Sequence, residues 1–168
     1  MVRKVRFTIC AAVLFVLQVT FVHRFSHRFL RPDLLYLLVI FLALEARFEG
    51  ALWGAFLLGL LRDLGSCGRL GTSALLFVPA TWGLLLLREH LLRESAWMDL
   101  ILTFAYVLGC ELVYALGVAA FAPGVQLAEL MPLALGQAIF TTALGPLSFA
   151  GFARIGIVEP PSIRLRSA

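Results

Sequence analysis

Few residues in this chain could do chemistry. The ionisable side chains that fall in or beside its long apolar stretches are Asp33, Arg62, Asp63, Asp99 and Glu111. A charge there is costly and needs a partner. Asp63 stands four residues after Gly59, on the same helical face, and Gly50 and Gly54 show the same four-residue step. Helical side chains lean toward the N-terminus, so the Asp63 carboxylate is expected over the bare backbone at Gly59. This pattern fits a packing helix with an interfacial Arg62–Asp63 end, or a contact or relay site built on Asp63. Glu111 is the deepest of the set, between Cys110 and Leu112 with Tyr114 one turn on. It is expected to be buried and hydrogen-bonded, to Tyr114 or to a polar group of the third helix. Asp33 follows Pro32 at the head of an apolar run, where proline suits the first helical positions and an acid suits the positive end of the helix dipole.

The usual catalytic constellations do not appear. The sequence holds no Ser-His-Asp set, no zinc signature and no phosphate-cradling loop, and the glycine-rich GSCGRLG lacks the Lys-Ser/Thr of a P-loop. His23 and His27 have the spacing of a helical metal pair, but Arg24 and Arg28 stand beside them with no acid or cysteine near, so a basic interfacial collar is the reading. The three cysteines, Cys10, Cys67 and Cys110, are far apart and odd in number, which argues against a disulfide framework or metal site and for small buried residues at 10 and 110. A proton-coupled transporter would show more intramembrane carboxylates and a polar lining. This chain has three glutamines (Gln18, Gln126, Gln137) and no asparagine. The expectation is a non-enzyme without cofactor.

The elements that must position these residues are membrane helices. The chain has 168 residues, 61% hydrophobic and 14% charged, against nearer half and a quarter in soluble domains. Leu70–Leu87 and Leu130–Ala153 carry no charge; each can cross a hydrocarbon core about 30 Å thick. The net charge of +4 reflects arginine-rich flanks and not nucleic-acid binding. The N-terminus superficially resembles a signal peptide, but its apolar run continues to Val22 with no small-residue cleavage site before His23, so it reads as an uncleaved first span.

Six helices are expected, over about 7–22, 34–44, 51–61, 72–87, 97–121 and 130–152. They form one all-α transmembrane domain over 1–158 with a disordered cytoplasmic tail over 159–168. The second and third are short enough to be either a spanning hairpin with snorkelled ends or a re-entrant pair; spanning is preferred. Thr72 or Ser73 is available to cap the fourth, and Pro79 and Gly145-Pro146 are expected to bend their helices. With the N-terminus inside, the inside segments hold nine basic residues and the outside ones five. Both termini are therefore expected in the cytoplasm.

The run Arg31-Pro32-Asp33-Leu34-Leu35, then Gly50 and Gly54, then Gly59-Leu60-Leu61-Arg62-Asp63-Leu64-Gly65-Ser66, then Leu70-Gly71, resembles the bacterial rod shape-determining protein MreD family. That family has a Pro-polar opening of helix 2, a Gly-x-x-x-Asp step, a small-residue turn, a Leu-Gly restart and a carboxylate in the fifth helix, where Glu111 stands. Arg62 departs from it, since apolar residues are more usual before the Asp. The resemblance covers Arg31–Leu87 well and the remainder by helix pattern. It implies a multi-pass inner-membrane scaffold or adaptor of cell-wall elongation, in contact with membrane lipid. Its implied partners are an MreC-like periplasmic coiled-coil protein, the actin homologue MreB, and the polymerase RodA with its transpeptidase. Partner binding or helix packing would then fall on Gly50, Gly54, Gly59, Arg62, Asp63, Leu70 and Gly71, and Asp33 and Glu111 would be buried polar residues. The family also looks like the six-helix substrate-binding subunits of energy-coupling-factor vitamin transporters, which gives the alternative of a substrate-capturing subunit.

Overall fold

The computed structural model describes residues 2–22, 33–65, 70–90, 96–121 and 126–156. Among them there are six α-helices and no strand: α1 (Val2–Leu17, continued by a π turn over Gln18–Val22), α2 (Leu34–Glu45), α3 (Phe48–Gly65), α4 (Thr72–His90), α5 (Ala96–Phe121) and α6 (Leu127–Ile155). The number of helices is the one expected, but their lengths are not uniform. Two helices, Trp97–Phe121 and Leu127–Ile155, are long and apolar enough to cross a membrane by length and composition, while 5–20, 34–45 and 72–88 form shorter apolar helices. The basic linker 23–31, Pro32, Cys67, the turn residues Ser66 and Gly68, Pro123-Gly124 and the tail 159–168 lie outside the described residues.

The bundle is built around α2. Leu34–Glu45 is apolar on every side, and such a helix must be enclosed. It packs against each of the other five helices, and every side chain from Leu35 to Leu44 is buried. Twelve residues rise only ~18 Å, so both helix ends finish inside the protein and must be satisfied there. At the N-terminus the Asp33 side chain accepts from Leu35 N–H (3.1 Å), and the Leu35 N–H also meets Gln18 Oε1 of α1 (3.3 Å). At the C-terminus Arg88 of α4 donates from Nη1 to the carbonyls of Ala43 (2.9 Å), Leu44 (3.0 Å) and Ala46 (3.0 Å). A cation at that end also opposes the helix dipole. Neighbours far away in sequence supply what a short helix lacks.

Several boundaries differ from the sequence expectation. The helix α3 runs on past Leu61, so Arg62 and Asp63 sit within it and not beyond its end, and Glu49 belongs to its first turn. The helices continue through Pro79 in α4 and through Pro132 and Pro146 in α6. Aromatic contacts seal α2 at two levels: Tyr36 on Phe77 (centroids 4.8 Å apart) and Tyr106 (6.2 Å), and Phe41 on Phe149 (6.0 Å) and Phe152 (5.4 Å). Cys10 and Cys110 are free and buried, as small apolar residues would be.

Candidate functional site

Where α2 begins, α3 nears its end and α4 starts, polar side chains from all six helices meet around Arg62. Its Nε donates to Asp33 Oδ2 (2.7 Å), Nη2 to Glu111 Oε1 (2.8 Å) and Nη1 to Ser73 Oγ (3.0 Å). The guanidinium also lies over the Tyr36 ring, 4.8 Å from its centroid, and 5.7 Å from that of Phe77. Glu111 Oε1 collects two further donors, Tyr36 Oη (2.7 Å) and Gln137 Nε2 of α6 (3.0 Å). The backbone N–H of Asp33 donates to Thr141 Oγ1 of α6 (3.1 Å), and Gln18 of α1 joins through Leu35. A rigid planar fork is what this geometry needs: one cation serves two carboxylates and a hydroxyl on three different helices, which a lysine ammonium could not match in direction.

The two buried carboxylates named by the sequence are both here, and both are buried. The partner of Glu111 on the third helix is Arg62. Tyr114 is exposed, and Tyr36 of α2 supplies the phenol instead. Glu111→Gln keeps an acceptor for Tyr36, Arg62 and Gln137, whereas Glu111→Leu strands all three donors. A stranded buried donor costs ~1–3 kcal/mol. Thermal melting in mild detergent is expected to place Gln near the parent protein and Leu far below it; equal melting of both would remove Glu111 from the network's essential members.

Arg62 and Asp63 do not pair with one another as an ion-pair rim. They point to different elements, as neighbours on a helix do, about 100° apart. Asp63 is buried and accepts from the backbone N–H groups of Gly71 (2.7 Å) and Ser73 (3.1 Å). It thereby caps the start of α4 from α3, a task the sequence assigned to Thr72 or Ser73. Gly71 has φ +95°, which L side chains rarely adopt. Gly59, one turn before Asp63, lies against the same start of α4: a Cβ built there would stand 2.5 Å from Ala74 Cα and 2.6 Å from its N. The Gly-x-x-x-Asp step and the Leu-Gly restart are therefore one device, a clasp between α3 and α4. Asp63→Ala should cost ~1–2 kcal/mol through the lost cap. Hydrogen exchange should then rise first at the N–H groups of Gly71 and Ser73; protection there unchanged would mean that the clasp does not depend on the carboxylate.

Gly54 is also occupied internally, with Leu42 Cδ1 2.5 Å from where its Cβ would be, while Gly50 has open space and is exposed. Leu70 is 69% exposed. The sequence gives no sign of Tyr36, Thr141 or the capping Arg88 as partners, and it offers Ser73 as a cap, not as an acceptor for Arg62. Gln18 and Gln137 carried a signal, as rare amides in a chain without asparagine. Tyr36 and Thr141 carried none, because isolated hydroxyls in apolar helices are common. Among the described residues no group of His, Cys, Asp and Glu could hold a metal ion.

Long apolar helices with exposed aliphatic faces, closed around an internal charged cluster, define a helical membrane protein. Residues 1–153 match the family model described as rod shape-determining protein MreD, and the chain belongs to that family. No curated protein and no solved structure matches it. Family membership assigns it a role in the determination of rod shape at the membrane. The likeness to energy-coupling-factor subunits finds no support, and the centre of the bundle is filled by α2.

Proposed function

We propose that this protein is an inner-membrane adaptor of the cell-wall elongation complex, with both termini cytoplasmic, and that it holds the transmembrane helix of an MreC-like protein against the outer face of α3 and the turn that follows. The observation that carries this is a stripe left free by the internal packing. Gly54, Gly59 and Asp63 turn inward, whereas Gly50, Trp53, Leu57 and Leu64 recur at three- and four-residue multiples along the outside of α3, and exposed Leu70 continues them. Glycine at one end permits close helix approach, and the large side chains offer packing area, which drives helix association in lipid where no hydrophobic effect operates. The Arg62 network lies directly behind this stripe and fixes α3 to the rest of the bundle. RodA, its transpeptidase and MreB then belong to the same assembly through the bound partner. No residue of the site is asked to make or break a bond.

Single cysteines at Leu57, Leu64 and Leu70, paired with cysteines along the transmembrane and juxtamembrane segment of the partner, should crosslink in cells with a helical periodicity. Crosslinks confined to α5 or α6 would place the interface elsewhere. Reporter fusions at Arg93 and at the C-terminus should both read cytoplasmic; a periplasmic signal at either would overturn the orientation.

A further inference from the structure

The charged residues of α3 are Glu49, Arg62 and Asp63. Arg62 and Asp63 turn inward, to α2, α5 and the start of α4. Glu49 is exposed, and among the described residues it has no ion-pair partner. It stands four residues before Trp53, eight before Leu57 and fifteen before Leu64. At 3.6 residues per turn these four side chains share one face, and all of them are exposed. The outer stripe of α3 is therefore apolar along its length and carries a single acid at its first turn.

A carboxylate in the first turn suits the helix dipole from any side of that turn, so the dipole does not account for a place in line with the stripe. Trp53, one turn on, is 68% exposed, and its ring stands edge-on to Phe56, with centroids 6.2 Å apart and planes at 87°. Exposed tryptophans settle at the headgroup level of a bilayer. Glu49 lies one turn further out, where an ionised carboxylate stays hydrated. With both termini in the cytoplasm, this is the cytoplasmic end of α3. Cytoplasmic flanks of membrane spans are rich in Lys and Arg, so the charge that a neighbouring span brings to this level is opposite to that of Glu49.

We propose that Glu49 pairs with the first lysine or arginine on the cytoplasmic flank of the partner's membrane span, and that this pair sets the register in which the partner lies on α3. The inference rests on the partner's placement on α3 and on the cytoplasmic orientation argued above. The alkyl stem of the basic side chain lies along the open face of Trp53, which also attracts the cation. An apolar stripe alone tolerates sliding by a turn, because leucine packs on leucine at either setting. A pair of opposite charges does not. Counted from the basic residue toward the periplasm, the residue eight further on, ~12 Å away, then faces Leu57, and the one fifteen further on, ~22 Å away, faces Leu64.

The test co-produces the full-length chain with the full-length MreC-like protein of the same cell. Native cysteines of both are replaced by alanine, and single cysteines are placed at Leu57 or Leu64 and along the partner's span. Crosslinking from Leu57→Cys is expected to peak within one turn of the eighth residue, and from Leu64→Cys within one turn of the fifteenth. Glu49→Lys should lower the yield at these positions roughly tenfold, since like charges then face each other. Reversal of the partner's basic residue to glutamate should do the same to the unaltered stripe. The two reversals together should restore both yield and position, a rescue that misfolding of either variant would not allow. Peaks in another register, a yield that Glu49→Lys leaves unchanged, or two reversals without mutual rescue would each overturn the role of Glu49 while leaving the partner on α3. The absence of any crosslink from Leu57→Cys and Leu64→Cys would overturn the placement itself, and this pairing with it.

Discussion

Arg62→Met will destabilise this protein more than any other single substitution outside the helix backbone. The change removes the one cation that, among the described residues, Asp33 and Glu111 share, and leaves both carboxylates buried. Loss of one member of a buried ion pair costs ~3–5 kcal/mol, mostly through the uncompensated charge left behind. Here two charges are left, on helices that Arg62 also ties to α4 through Ser73. Most of the native stability of a small protein is of this size. The expected result is a large drop in the amount recovered as monodisperse protein from membranes and in its melting temperature. Arg62→Lys should fall between, because an ammonium keeps the charge but not the three directions. The triple change Arg62→Met, Asp33→Asn, Glu111→Gln removes all three charges together and should recover much of the loss. Unchanged melting of Arg62→Met, or a triple variant no better than the single one, would show that charge balance is not what holds the network.

Gly59→Ala will separate α3 from α4, although it adds a single methyl group. The added carbon would stand 2.5 Å from backbone atoms of Ala74, where ordinary carbon contacts need 3.5–4.0 Å. Backbone cannot swing aside as a side chain can, so the helices must part by roughly 1 Å. The Asp63 bonds to Gly71 and Ser73 lie one turn away and must lengthen with them. A cost of ~1–3 kcal/mol is expected for alanine, and more for leucine. Gly109→Ala, which has open space around it, should stay within about 0.5 kcal/mol. Leu58, beside Gly59, is 1% exposed, and Leu58→Ala should cost ~2–5 kcal/mol through the cavity it leaves. Equal melting of the Gly59 and Gly109 variants would show that α3 and α4 are not in backbone contact.

Much of this was legible in the residues. Uncharged runs and low charge density determine membrane helices because lipid tolerates little else. Asp33 after Pro32 determines a helix start, because its short carboxylate reaches the free N–H groups there. The buried state of Glu111 follows from its isolation among apolar neighbours, whereas that of Asp33, close behind Arg31, does not follow from spacing. The four-residue step from Gly59 to Asp63 determines that both face one neighbour, since 3.6 residues complete a turn. The tertiary structure alone decided which neighbour, and for what. Asp63 reads as a possible contact site and proves to cap α4, because the start of α4 is brought to it by a turn whose path no local pattern specifies. Arg62 reads as its companion and turns instead to Asp33 and Glu111, 29 and 49 residues away in sequence. The enclosure of α2, and with it the need for Arg88 at its C-terminus, depends on five helices closing around it. Spacing along one helix sets direction, but which charges meet across helices depends on how the helices pack, and that is written in side-chain shape summed over the whole bundle.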